Sequence, residues 1–325
     1  MDRASARALL DENLQSPELC SKDSVRRLVE RTFQRADVDV SARGPLSEQD
    51  MLADSADCDN RSAEVWGLLD TLRGAGETVV VAHDGLHDGG KSVTRKWKLK
   101  HDNGQMRVLY RRGPEGTPFH TICLEGLIDG PMTTALCVLW EVNSAKDLYP
   151  QYTESKWLEQ PTPGQGVLVV RLRTPWPFEP RETLLEVYTV PCFEKGLVIV
   201  VLRTPPPGPS PLSREGPPIP PVEKGVTRMD VRGGYIFQQI SPSKCYFRTI
   251  FDMDMKLAMV PAWIINLLAR QFGSHAIKVF DKVVKDVDGR KNAQYVETFT
   301  RLLSTDRFLQ NVRDGLSEYK PPEST

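Results

Sequence analysis

From residue 246 the chain alternates. Phe247, Thr249, Phe251, Met253 and Met255 fall on one side of an extended chain, and Tyr246, Arg248, Asp252 and Asp254 on the other. A period of two predicts a half-buried strand whose charged side faces water. After Lys256 the period lengthens. Ile264, Leu267, Leu268, Gln271 and Phe272 recur at helical spacing, and Pro261 suits a first turn, where a missing N–H costs nothing. The pattern predicts one helix over 260–285, about 35–40 Å long at 1.5 Å per residue, weakened near its middle by Gly273-Ser274. The apolar faces of this strand and helix are expected to oppose each other. Periodicity alone leaves open whether they enclose a ligand or a filled core.

Upstream, Val25, Leu28, Val29 and Phe33 predict a short amphipathic helix, and Val65, Trp66, Leu68, Leu69 and Leu72 a second, stopped by Gly74 and Gly76. Strands are expected at 78–83, 93–99, 106–110, 119–125, 167–173, 183–190, 197–203, 227–240 and 244–255, with hairpin chemistry at HDGLHDGG and HDNG. Helices are expected at 131–142 and 145–149, then at 292–303 and 305–316. Gly233-Gly234 inside a strand pattern suggests a bulge or a bend. Residues 204–225 (TPPPGPSPLSREGPPIPPVEKG) read as an extended, proline-rich hairpin insertion. Hairpins in series with helices at the ends mean α+β, not a doubly wound sheet.

Acids and bases nearly cancel, giving a net charge of −1 over 325 residues. That excludes bulk nucleic-acid binding, which needs a basic field. The six cysteines are scattered without metal or disulfide spacing. The amino-terminal stretch lacks the apolar core of a secretion signal. The longest apolar run, 257–269, is shorter than a membrane span needs. The expectation is a cytoplasmic protein, at most peripheral at membranes. No nucleophile elbow, P-loop or HExxH is present, and His83-Asp84 with His87-Asp88 sit among glycines, which makes a turn there rather than a metal site. No catalytic residue, metal or cofactor is therefore expected.

From Val169 the segment VVRLRTPWPFEPRETLLEVYTV resembles the strand–loop–strand of START (StAR-related lipid-transfer) domains, within the START-like polyketide cyclase/lipid transport superfamily and nearest to its plant and protist members. A Pro-Trp-Pro loop (Pro175, Trp176, Pro177) precedes an Arg-Glu pair (Arg181, Glu182) that opens the next strand. Residues 229–272 are similar to the last two strands and the C-terminal helix of the same group. The resemblance covers 62–285. It implies a helix-grip fold, a curved antiparallel sheet wrapped on a long C-terminal helix around a hydrophobic tunnel. It also implies non-catalytic binding, and intermembrane transfer, of one sterol, phospholipid or ceramide. The C-terminal helix and the Pro-Trp-Pro loop would gate the tunnel, and a membrane surface would be a transient partner. The lipid-binding residues it points to are Trp176, Phe178, Arg181, Phe247, Phe251, Met253, Met255, Ile264, Leu267, Leu268 and Phe272. Residues 1–61 then form a polar, helical or partly disordered extension, 62–285 the lipid-binding domain, and 286–325 a helical C-terminal extension. Two alternatives stand beside this reading: a cyclase- or hydrolase-like enzyme using the same cavity, since related helix-grip folds include polyketide cyclases, with His120, Glu186 or Arg171 as its acid–base groups; or a lipid-gated interaction protein that docks a partner through the proline-rich loop and the terminal helices.

Overall fold

The computed structural model describes residues 1–38, 48–75, 97–113, 117–206, 208, 212, 219–257 and 275–321, without the side chains of 34–38 and 48–55. The strand expected at 78–83, residues 93–96 of the one expected at 93–99, the paired His-Asp motifs, and 258–274 with Ile264, Leu267, Leu268 and Phe272 lie outside these residues. So does much of the proline-rich insertion.

The centre is a ten-stranded sheet. Its strands are β1 (Lys98–Asp102), β2 (Met106–Arg112), β3 (His120–Ile128), β4 (Tyr152–Glu159), β5 (Gln165–Leu172), β6 (Arg181–Cys192), β7 (Leu197–Arg203), β8 (Thr227–Arg228), β9 (Asp230–Ser241) and β10 (Lys244–Asp254). They lie in the order β1-β2-β3-β10-β9-β7-β6-β5-β4, with two-residue β8 beside β6. Every neighbouring pair is antiparallel except β6 with β8. Between β3 and β4 the chain leaves the sheet through helices α4 (Met132–Trp140) and α5 (Ala145–Leu148) and re-enters at the far edge.

Alternation along the strands sends side chains to two apolar layers. Cys245, Phe247, Phe237, Val198, Val200, Ile122 and Leu124 face α4 and three C-terminal helices: α6 (Ala276–Asp288), α7 (Ala293–Thr305) and α8 (Arg307–Ser317). Tyr246, Ile250, Ile236, Ile199, Val201 and Tyr188 face the opposite way, onto three N-terminal helices: α1 (Arg3–Asn13), α2 (Lys22–Val38) and α3 (Glu48–Gly74). Helix α1 was not foreseen. Asp2 caps it by accepting from Ser5 N (2.8 Å), and Ala6, Leu9 and Leu10, at i, i+3 and i+4, are buried on the sheet side. Helix α3 runs through the boundary expected between 61 and 62. Phe299, Phe308, Leu309, Val312 and Leu316 of α7 and α8 belong to the main core.

Most of the charged side of β10 is therefore buried, contrary to the sequence expectation; Asp252 alone is partly exposed. Tyr246 and Arg248 are fully buried beneath the N-terminal helices. Arg248 donates to Glu125 of β3 (2.7 Å), to Asp11 of α1 (2.6 Å) and to the Leu72 carbonyl of α3 (3.2 Å). Arg107 of β2 is paired to the same Glu125. A second buried carboxylate, Glu186, takes Arg203 (2.8 Å) and lies 3.8 Å from Arg61 of α3.

Strand β4 was also unforeseen. Its sequence, YTESKWLE, is mostly polar, as suits a strand at the sheet edge. Trp157 anchors it, donating to the Trp140 carbonyl (3.2 Å) with the rings 4.9 Å apart. At Gly233-Gly234 the register with β10 continues without a bulge. Gly233 instead has φ +142°, and a Cβ there would collide with the Ile250 carbonyl; one on Gly234 would meet the Val200 carbonyl and Leu68 of α3. Gly233 thus lets β9 and β10 run close together, and Gly234 lets the sheet and α3 approach closely. Gly233→Ala is expected to lower unfolding stability by about 1–3 kcal/mol, read from the shift in urea midpoint. An unchanged midpoint would refute this account of the glycine.

Candidate functional site

The inner face of β3, β9 and β10 does not pack fully against α4 and α6. A cavity of about 250 Å³ remains, bounded also by the end of β5 and the 174–178 loop. Of the eleven residues singled out from sequence, Phe178, Arg181, Phe247, Phe251, Met253 and Met255 border it. Their shared side follows from parity: positions 247, 251 and 253 of β10 point inward, and so does position 181 of β6. Trp176 does not border it. Pro175 and Phe178 of the same loop do, while the Trp176 side chain stands out of the surface, 91 % exposed. The loop is closed by the Thr174 hydroxyl, which donates to the carbonyls of Phe178 (3.0 Å) and Glu179 (2.6 Å).

Sequence reasoning missed several bordering residues: Tyr152, Tyr235, Arg173, Leu139, Ile277 and Phe280. Tyr235 was within reach of it, since it has the parity of Phe237, which pairs with Phe247 in the ladder. Tyr152 lies on the unforeseen strand. The Tyr235 ring meets Phe251 edge-on at 5.1 Å, and Tyr149 and Tyr152 lie 5.3 Å apart. Burial pushes the phenol of Tyr152 up to about 12 and raises those of Tyr149 and Tyr235 further. All three are neutral donors near pH 7. Helix α6 supplies Ala276, Ile277 and Phe280, the last with its ring 6.4 Å from Phe247.

Arg181 is the site's buried charge, 6 % exposed. Its Nε donates to the Met255 carbonyl (3.0 Å) and Nη1 to the Glu179 carbonyl (2.6 Å). The candidates for acid–base chemistry are not gathered here. Glu186 and Arg171 lie on the opposite face of the sheet, held by Arg203 and by Glu182 respectively. His120 is half-buried, does not border the cavity, and shares a hydrogen bond with the Tyr110 hydroxyl (2.8 Å). Burial, then Arg112, holds its pKa below the usual imidazole range. Among the described residues no group of side chains could hold a metal ion, and no helix is long and apolar enough to cross a membrane.

No protein-family model matches the chain, and no curated protein matches it in sequence. Solved structures do. Human STARD10 superposes with a TM-score of 0.51 at 18 % identity, covering 66 % of this chain and 80 % of that one. A STAR-related lipid transfer protein fragment from Xanthomonas axonopodis gives 0.46 at 17 % identity (58 % and 98 % covered), and human StAR-related lipid transfer protein 5 gives 0.46 at 16 % (58 % and 86 %). The superposition on STARD10, with the antiparallel sheet and the C-terminal helices on its inner face, carries the conclusion: this chain has the α+β helix-grip fold of the StAR-related lipid-transfer domains.

Proposed function

We propose that the protein binds a single lipid, without catalysis, in the cavity between the sheet and α6, and that it exchanges this lipid with membranes. The observation that carries the reading is the lining itself: Phe247, Phe251, Met253, Met255, Ile277 and Phe280 surround an internal space that a protein built only for stability would fill. Burying an acyl chain of ~16 carbons is worth on the order of 12 kcal/mol at ~0.8 kcal/mol per CH₂. Extraction from a bilayer needs a comparably dry environment, and an enclosed apolar cavity supplies one. The methionines suit a wall that adapts to flexible chains.

The cavity is small beside the ~300–1,000 Å³ common for ligand pockets, so entry requires movement. The far end of α6 is pinned by Lys285, which is paired with Asp129 (2.9 Å) and Asp281 (2.7 Å). Its cavity end, with Ile277 and Phe280, and the 174–178 loop are the gate in this reading. Trp176, in that loop, is the interfacial anchor, since an exposed indole favours the headgroup region.

Protein purified from cells is expected to release a lipid on native extraction, detected by mass spectrometry. After delipidation it should regain one lipid per chain. Met253→Trp, which fills the cavity, should abolish uptake, whereas Trp176→Ala should keep uptake and slow exchange with vesicles several-fold. A delipidated protein that takes up no fatty acid, phospholipid, sterol or ceramide would overturn the proposal.

A further inference from the structure

We infer that the lipid bound here carries an oxyanion head, a carboxylate or a phosphate, held by Arg181 and Arg173 at the end of the cavity beside the Trp176 loop. This deepens the lipid-binding proposal and rests on it.

Four arginines are buried among the described residues: Arg61, Arg107, Arg181 and Arg248. Three have carboxylates. Arg61 meets Asp57 (2.6 Å), Arg107 meets Glu125, and Arg248 meets Glu125 and Asp11. Arg181 has no carboxylate within ion-pair distance among the described residues. Its two hydrogen bonds go to backbone carbonyls and use two of the five donors of a guanidinium. A buried cation is ordinarily paired.

The adjacent acid does not serve it. Alternation turns Glu182 to the opposite face of β6, where Arg171 (2.9 Å) and Arg228 (2.6 Å) occupy both its oxygens. The strand thus sends its acid outward to two bases and its base inward to none. Arg173 follows Leu172, the ladder partner of Arg181, and it too borders the cavity without an ion pair among the described residues.

These two cations mark one end of a mostly apolar space. Arg181 is bonded to Met255, whereas Phe247 and Phe280 close the other end. Eight residues of extended chain, ~26 Å at ~3.3 Å per residue, separate positions 247 and 255. A tail lying along β10 toward Phe247 brings its head to the arginines. The guanidinium fork fits a carboxylate or phosphate in two-point contact. A neutral hydroxyl would leave the buried charge uncompensated.

The test uses the full, delipidated chain and matched pairs of amphiphiles: palmitate against its methyl ester, and phosphatidate against diacylglycerol of the same chains, with inorganic phosphate as a further probe. The charged member of each pair is expected to bind roughly 10- to 100-fold more tightly than the neutral one. Arg181→Met should bring that ratio close to one. Arg173→Gln, at an exposed position where folding is not at stake, should lower it. Equal binding within both pairs would overturn the inference and leave lipid binding standing. Failure of every amphiphile to bind would remove both. Inorganic phosphate binding as tightly as phosphatidate would mark a free-anion site and overturn the lipid-head assignment. The wild-type comparison needs no variant, so an Arg181→Met protein that does not fold leaves the test intact.

Discussion

Glu125→Ala is expected to destabilise the protein by about 3–5 kcal/mol, the cost of leaving buried charge without its partner. The carboxylate is fully buried between Arg248 and Arg107, and Arg248 is itself fully buried. Removing it strands two guanidinium groups beneath α1 and α3. Denaturant unfolding measures the change, and a loss below 1 kcal/mol would mean that the cluster relaxes without cost. The same cluster sets a pH dependence. Burial acts to raise the Glu125 pKa, but Arg248 and Arg107 outweigh it and hold the carboxyl below its usual value. A depressed folded-state pKa contributes stability that is fully present above the unfolded value of ~4.3 and is lost as pH falls through the folded value. That contribution should vanish from the acid limb of stability against pH in Glu125→Ala. An unaltered acid limb would assign the acid sensitivity to other carboxylates.

Deleting residues 1–20 is expected to leave no soluble folded monomer. Leu9, Leu10, Leu14 and Leu19 are buried in the layer beneath the sheet. At roughly 1.5–3 kcal/mol per buried leucine, their loss approaches 6–12 kcal/mol, an upper estimate because unfolded chains already bury some apolar surface. That is comparable with the ~5–15 kcal/mol that holds a whole domain together. The deletion also removes Asp11 from Arg248 and uncovers Tyr246, Ile250 and Ile236. Size-exclusion chromatography and near-ultraviolet circular dichroism of the shortened chain decide the matter. A monodisperse monomer with native aromatic signals would show that α1 and the segment after it are detachable.

Strand β10 shows how far the sequence could be read. Its period of two placed Phe247, Phe251 and Met253 together, and the structure puts all three at the cavity. The same period made the Arg248 side polar, and polar was taken to mean wet. Alternation separates two faces without saying what covers either. The cover comes from α1, which is far from a local signal: Asp11 and Arg248 are 237 residues apart. Helix α1 itself carries the i, i+3, i+4 pattern in Ala6, Leu9 and Leu10, hidden by its charged neighbours. The charge on Arg181 could be named from its motif but not its lack of a carboxylate, because that depends on which way Glu182 turns. Strand β4 has too few apolar residues to register as a pattern at all.

The cluster around Arg248 also has a mechanical meaning. One wall of the cavity is β10, and that strand is backed on its far side by buried ion pairs and by helices α1 and α3. Pushing it outward would break contacts on both of its faces at once. The opposite wall, α6, is fixed at its Lys285 end and meets the cavity only through its first turns. The two walls are therefore built differently, one a sheet strand backed on its far face and the other a single helix packed on its neighbours. On the lipid-binding proposal, a guest larger than the present space would be accommodated by displacing the helix and loop from a sheet that keeps its shape.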